Sequence, residues 1–163
     1  MASYWLFKTE PAEYSITDLA GEPGATVRWD GIRNYQARNH LRDDIAKGDQ
    51  VLIYHSSCKV PGIAGTAKVV SAPYPDPSQF DPNSPYYDAK SSVGAPRWFC
   101  VDICHQSSFD NVIPVSRLRT VQALAEMVLF RQGRLSVQPV SEGEWQILVE
   151  LGLHKRHPVP VQE

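Results

Sequence analysis

Only three cysteines occur in the 163 residues, Cys58, Cys100 and Cys104. An odd number with no CxxC pair offers neither a disulfide framework nor a thiolate pair for a metal, so the chain reads as the product of a reducing compartment, the cytoplasm or, in a eukaryote, the nucleus. Long apolar runs are missing as well. Nothing approaches the ~20 consecutive apolar residues of a membrane-spanning helix, and no charged-then-apolar leader opens the sequence, which argues against a membrane partner and a standard export signal. The histidines, His40, His55, His105, His154 and His157, lack HxxxH or paired-carboxylate spacing, so no metal is expected. Neither GxGxxG nor a Walker pattern is present, and no nucleotide cofactor is expected either. Excess charge of one sign is absent too. Sixteen basic against eighteen acidic residues give a net −2, so the molecule as a whole should not coat nucleic acid by counterion release.

What is present is an ordinary globular composition, 42% hydrophobic and 21% charged, in a length that favours one domain able to bury roughly 70% of its unfolded surface. The domain is expected over residues 1–153, with a C-terminal tail at 154–163. SYWLFKTEP reads as an opening strand, and SITDLA as a short helix started by a Ser15/Asp18 capping box. From about Arg33 to Lys47 the pattern is helical, with Asn34, Ala37, Leu41 and Ile45 on one stripe and Gly48 placed to stop it. GDQVLIYHS and GIAGTAKVVSA read as neighbouring strands of a closed sheet, and the glycines at 62 and 65 signal bends or close backbone approach. Residues 72–92 hold five of the thirteen prolines, Pro73, Pro75, Pro77, Pro82 and Pro85, and read as a long loop. PRWFCVDICHQSSF returns to strand, PVSRLRTVQALAEMVLF gives one or two short helices, RLSVQPVS is a brief strand, and SEGEWQILVELG is a helix with a Ser141/Glu144 capping box and Gly152 as its stop. Strands separated by short helices predict an α+β domain around a curled or barrel-like sheet.

The segment RWDGIRNYQARNHLR, residues 28–42, carries more aromatic and hydrogen-bonding groups than a helix needs. Trp29, Asp30, Arg33, Asn34 and Tyr35 supply a π-face, an anionic acceptor, a cationic donor and an amide, the inventory for holding one nucleobase by stacking and edge hydrogen bonds. Asn34 either caps the helix or faces a cavity as a ligand contact. Lys8, Thr9 and Glu10 end the first strand, and His55, Ser56 and Ser57 end the strand after the main helix, so both groups sit where a barrel mouth would be. Arginines gather in two places, Arg28, Arg33, Arg38 and Arg42, then Arg117, Arg119, Arg131 and Arg134. A hydrolase alternative, acting on a small amide or on RNA, takes Cys58 as nucleophile and His55 as base, or pairs His55 with Lys8.

Read in order, YWLFKTEPAEYSITDL, WDGIRNYQARNHLR, KGDQVLIYHS, GIAGTAKVV, YPDPSQFDP, YYDAKS, PRW and RLSVQPVSEGEW resemble the EVE domain family over about residues 3–152. The resemblance implies a PUA-like fold, a small bent β-barrel surrounded by short helices and related to PUA, ASCH and YTH domains. It implies a non-catalytic reader of a modified nucleobase, with methylated or hydroxymethylated cytosine in DNA favoured and an RNA-binding PUA-like module as the alternative. The expected ligand contacts are Lys8, Thr9, Glu10, Trp29, Asp30, Asn34, Tyr35, His55, Ser56 and Ser57, with Tyr87 or Trp98 as a second wall and Arg33, Arg38 and Arg134 on flanking phosphates. Alanine at Trp29 is expected to abolish binding at little cost in stability. Where many members read HSN, this chain has HSSC at 55–58, which leaves the amide contact there open, as is the oligomeric state.

Overall fold

The computed structural model describes residues 2–154. Strand β1 (Tyr4–Thr9) carries the consecutive buried residues Trp5, Leu6 and Phe7, the pattern of a strand covered on both faces. It is followed by α1 (Ile16–Ala20), where the Ser15 hydroxyl accepts from the Asp18 N–H and the Asp18 carboxylate from the Ser15 N–H, the expected capping box. Strand β2 (Thr26–Trp29) comes next, an element the sequence pattern does not assign.

Helix α2 (Tyr35–Asn39) continues into a single π-helical turn at His40–Asp44, so the main helix is shorter than expected at both ends. Ala37, Leu41 and Ile45 are buried as their spacing predicts. Asn34 is not part of that buried stripe: it is exposed, and its Oδ1 caps α2 by accepting from the Ala37 N–H at 2.9 Å. The helix stops before Ile45, whose backbone is extended. The buried Asp49 carboxylate is the reason, since it accepts from the Ala46 N–H as well as from Ser3 N–H and the Trp5 indole, drawing residues 45–49 into a turn. Gly48, at φ +99°, lies within that turn and is not the helix cap.

Strands β3 (Gln50–His55) and β4 (Gly62–Val69) are antiparallel neighbours. A Cβ at Gly65 would stand 2.2 Å from the Ser107 carbonyl oxygen, so the close approach expected of this glycine is real. The proline-rich segment is less of a loop than its composition suggests. It contains β5 (Tyr74–Pro75) and a 3-10 turn at Pro77–Phe80, and is pinned by two buried side chains. The Gln79 amide donates to the Asp76 and Trp98 carbonyls and accepts from the Arg97 and Trp98 N–H groups. Strand β6 (Phe99–Pro114) leads into α3 (Val115–Leu118), α4 (Val128–Arg131), β7 (Val137–Val140) and α5 (Glu142–His154). Ser141 and Glu144 form the second expected capping box. Helix α5 does not stop at Gly152: it runs on to His154, with Gly152 buried against the Phe109 ring, where a Cβ would stand 2.3 Å from Cζ. The tail expected from 154 onward otherwise lies outside the described residues.

The strands form one mixed sheet in the order β2-β6-β4-β3-β1-β7, with β5 on β6, and β1 and β3 are its parallel pair. Alternation along these two strands divides the interior. Trp5, Phe7, Val51 and Ile53 face one core, and Leu6, Leu52 and Tyr54 face the other. The mixed sheet with its short helices fits the expected α+β, PUA-like fold, but its hydrogen-bonded path does not close, because β2 and β7 end it without pairing to each other. Helix α2 packs on β7, and the π turn on both β6 and β7, so these residues cover the open seam. Among the described residues no helix is long and apolar enough to cross a membrane.

Candidate nucleic-acid interface

The first core reaches the surface between the C-terminal ends of β1 and β2. Trp29 closes β2 and is only 7% exposed, its ring 5.6 Å from that of Phe7 and 6.1 Å from that of Tyr14. The indole is therefore core and cleft wall at once. This corrects the expectation that alanine there would spare stability, because truncating a buried tryptophan costs about 3–5 kcal/mol.

The cleft over Trp29 has a volume of about 360 Å³ and is bounded by Lys8, Thr9 and Glu10 on one side and by Asp30, Gly31 and Tyr86 on the other, with Tyr14 beside Trp29. That volume lies near the small end of the ~300–1,000 Å³ that ligand sites occupy, enough for a single heterocycle. Thr9 is fixed by donating to the Tyr14 carbonyl at 2.7 Å, and the Tyr14 hydroxyl donates to Glu22 at 2.8 Å. Burial and the bond to Glu22 push the Tyr14 phenol well above its ordinary pKa, so it stays neutral. Burial lowers the pKa of Lys8. Its ammonium donates to the Gly133 carbonyl and lies 5.4 Å from the Tyr54 ring centre. Asp30 accepts from Arg28 at 3.1 Å, a partly exposed pair that leaves Oδ1 without a hydrogen-bond donor among the described residues.

The wall opposite β1 is held by a residue the sequence pattern does not single out. Asp76 is fully buried, 45 positions from Gly31, and accepts from the Gly31 N–H at 2.8 Å and from Arg33 at 3.0 Å, while its other oxygen takes the Ser78 N–H and hydroxyl. Arg33 also donates to the carbonyls of Ile32 and Tyr86 and to the Ser78 hydroxyl. Its guanidinium is thus a strut between two loops and not a phosphate ligand, since all its nitrogens already have acceptors. A buried carboxylate has no pattern that gives it away in a proline-rich stretch, and only its contacts across the chain reveal it.

Of the expected contacts, Lys8, Thr9, Glu10, Trp29 and Asp30 come together in the cleft, whereas Asn34, Tyr35, His55, Ser56, Ser57, Tyr87 and Trp98 lie outside it. Asn34 is occupied as the α2 cap. Tyr35 stacks on Trp98 at 4.7 Å, Arg38 lies 4.9 Å from the Tyr35 ring centre, and the Trp98 indole donates to Asp88 at 2.7 Å, a separate cluster beside α2. The tyrosine that reaches the cleft is Tyr86, not Tyr87. His55 is buried and its Nε2 accepts from the Ile16 N–H at 3.1 Å. With that lone pair committed and the other nitrogen protonated, the imidazole has no base to offer Cys58, which counts against the His55–Cys58 pair of the hydrolase alternative. Ser56 is tied to the Thr9 carbonyl through its N–H at 2.9 Å. Among the described residues no group of three or more His, Cys, Asp or Glu could hold a metal ion.

Known proteins share both the sequence and this architecture. Human thymocyte nuclear protein 1 is 39% identical over 168 residues, covering 93% of this chain and 74% of that protein. A hypothetical protein from Leishmania major superposes with a TM-score of 0.91 at 41% identity, covering 96% of this chain and 98% of the other. Human THYN1, solved in complex with DNA containing 5-methylcytosine, superposes with a TM-score of 0.87 at 40% identity, covering 93% of this chain and 98% of the other. The EVE domain model matches residues 3–151, so the chain belongs to the EVE domain family.

Proposed function

We propose that this protein is a non-catalytic reader of DNA carrying a modified cytosine, and that it takes the base, turned out of the helix, into the cleft over Trp29. The observation that carries the reading is the cleft itself: the aromatic rings of Trp29, Tyr14 and Tyr86 and the carboxylates of Asp30 and Glu10 line one hollow, in a volume suited to one base. Cytosine presents an exocyclic amine, which a carboxylate accepts, whereas thymine presents a carbonyl there. The DNA complex of human THYN1, a relative of the same fold, supports the choice of DNA and of 5-methylcytosine. The relatives' name likewise supports a nuclear address if the source is eukaryotic.

Magnitudes set the expected strength. Stacking contributes about 1–3 kcal/mol, an added methyl in an apolar pocket about 1–3 kcal/mol, and extruding a paired base costs a few kcal/mol. Binding is therefore modest, and strongest where the duplex is already weakened. The test is a titration of matched duplexes carrying cytosine, 5-methylcytosine or 5-hydroxymethylcytosine, with an RNA of the same sequence, against the wild type and Tyr86→Ala. The wild type should prefer a modified duplex, and the variant should lose roughly 5- to 150-fold, the ~1–3 kcal/mol of one stacking face, while remaining folded. Equal affinity for all the ligands, or a Tyr86→Ala protein that binds as well as wild type, overturns the reading.

A further inference from the structure

The two arginine clusters look alike in sequence, but the structure separates them by what their guanidinium groups touch. In the first, every one is engaged within the protein. Arg28 pairs with Asp30, Arg33 with Asp76 and Arg42 with Asp43, and Arg38 donates to the Arg97 carbonyl and the Asn39 side chain. In the second, none meets a carboxylate among the described residues. Among the described residues Arg131 and Arg134 are exposed and their side chains have no hydrogen bond or ion pair, and Arg119 rests on the Phe130 ring at 5.0 Å. Glu126, the acid of that segment, is itself exposed and forms no ion pair among the described residues.

This second group begins at the rim of the cleft. The Gly133 carbonyl, one residue before Arg134, accepts from the Lys8 ammonium, which lies over Tyr54. Arg119 is close enough to Tyr54 for its charge to act on the phenol. An unpaired guanidinium on the surface keeps its full field and its fork of donors for an external anion, whereas one already bonded to a carboxylate must first break that pair. We infer that Arg119, Arg131 and Arg134, continuing from Lys8, form the track for the phosphate backbone of the strand that delivers its base to the cleft. The inference rests on the DNA-reader function proposed above and replaces Arg33 and Arg38 as backbone ligands.

Removing one arginine from a phosphate should flatten the dependence of log affinity on log salt by about 0.9. The experiment is a salt series by fluorescence anisotropy on a short duplex with one 5-methylcytosine and on its unmodified twin, comparing wild type, Arg131→Gln/Arg134→Gln and the control Arg42→Gln. The double variant should melt as wild type does, bind both duplexes more weakly by the same factor, and show a slope smaller by about 1.8, the value for two phosphates, while Arg42→Gln keeps the wild-type slope. An unchanged slope in the double variant, an equal drop in Arg42→Gln, or no DNA binding at low salt overturns the track. Absence of any methyl preference, with the slope still reduced, overturns the base-reading proposal and leaves the track standing.

Discussion

The Tyr86 ring packs against Gly31 so closely that a Cβ at residue 31 would stand 2.7 Å from the tyrosine Cζ, and Gly31 holds φ at +80°. One residue thus meets two demands that only glycine satisfies, a left-handed backbone and room for the aromatic wall of the cleft. Gly31→Ala should cost about 1–3 kcal/mol from the backbone. It should also push the half-exposed Tyr86 ring outward, so that binding of a modified duplex falls as it does in Tyr86→Ala. In the double variant the two binding losses should not add, because both remove the same wall. Additive losses would mean that Gly31 and Tyr86 act separately.

Asp76 ties that wall down. Burial pushes its pKa up, but the bonds from Ser78, the Gly31 N–H and Arg33 outweigh burial and hold it below the usual carboxylate range. A carboxyl with a lowered folded pKa stabilises fully above its unfolded value of ~3.9, and that stability is lost as pH falls through the folded pKa. Asp76→Asn should therefore lower stability at neutral pH by about 3–5 kcal/mol, the cost of leaving a buried partner unpaired, and should remove part of the acid-induced loss seen in the wild type. Urea denaturation at neutral pH and below about pH 4 measures both effects. A variant as stable as wild type would show that Arg33 and Gly31 find other acceptors.

Much of the fold was legible because local chemistry decided it. Ser15/Asp18 and Ser141/Glu144 start helices where their spacing says, and Ala37, Leu41 and Ile45 bury as a stripe. Strand β2 was not legible, since TVRW is short, has no apolar run, and is strand only because β6 pairs with it. The site split along the same line. Lys8, Thr9 and Glu10 lie at the end of β1, which a pattern can locate, and Trp29 and Asp30 stand out by composition, in a run dense with aromatic and hydrogen-bonding groups. Tyr86 reaches the cleft from a proline-rich segment, and from the same segment Asp76 holds the cleft wall through a bond to Gly31 45 residues away. Nor can a run of arginines reveal which have partners: Arg33 meets its carboxylate 43 residues away.

His55 should make the fold sensitive to mild acid. Burial lowers its pKa, and its Nε2 must keep a lone pair to accept from the Ile16 N–H at the start of α1. The unfolded chain takes up the proton first, near pH ~6.5, so stability is complete above that value and is lost as pH falls toward the folded pKa. His105 is also shifted down by burial, so the wild-type profile contains both groups. In His55→Gln the amide oxygen can accept the same N–H without titrating. The difference between the two proteins' unfolding free energies should change between about pH 7 and 5 and be flat above. A difference that is constant with pH would show that His55 does not titrate on unfolding.

Ser57 gives the last test, because one substitution separates a backbone role from a ligand role. The resemblance to EVE sequences implies asparagine where this chain has the second serine of HSSC, and an amide at a strand end near the cleft invites a base contact. The structure offers a different reason. Ser57 holds φ at +53° and is exposed outside the cleft, in the left-handed region that asparagine occupies far more readily than serine. Ser57→Asn should relieve up to about 1 kcal/mol of backbone strain and raise the melting temperature by roughly 2–4 °C for a domain of this size. Affinity for cytosine and 5-methylcytosine duplexes should stay as it was. Were the variant instead to bind the modified duplex more tightly at an unchanged melting temperature, the amide would be reading the base, and the cleft would extend past Thr9 to the end of β3.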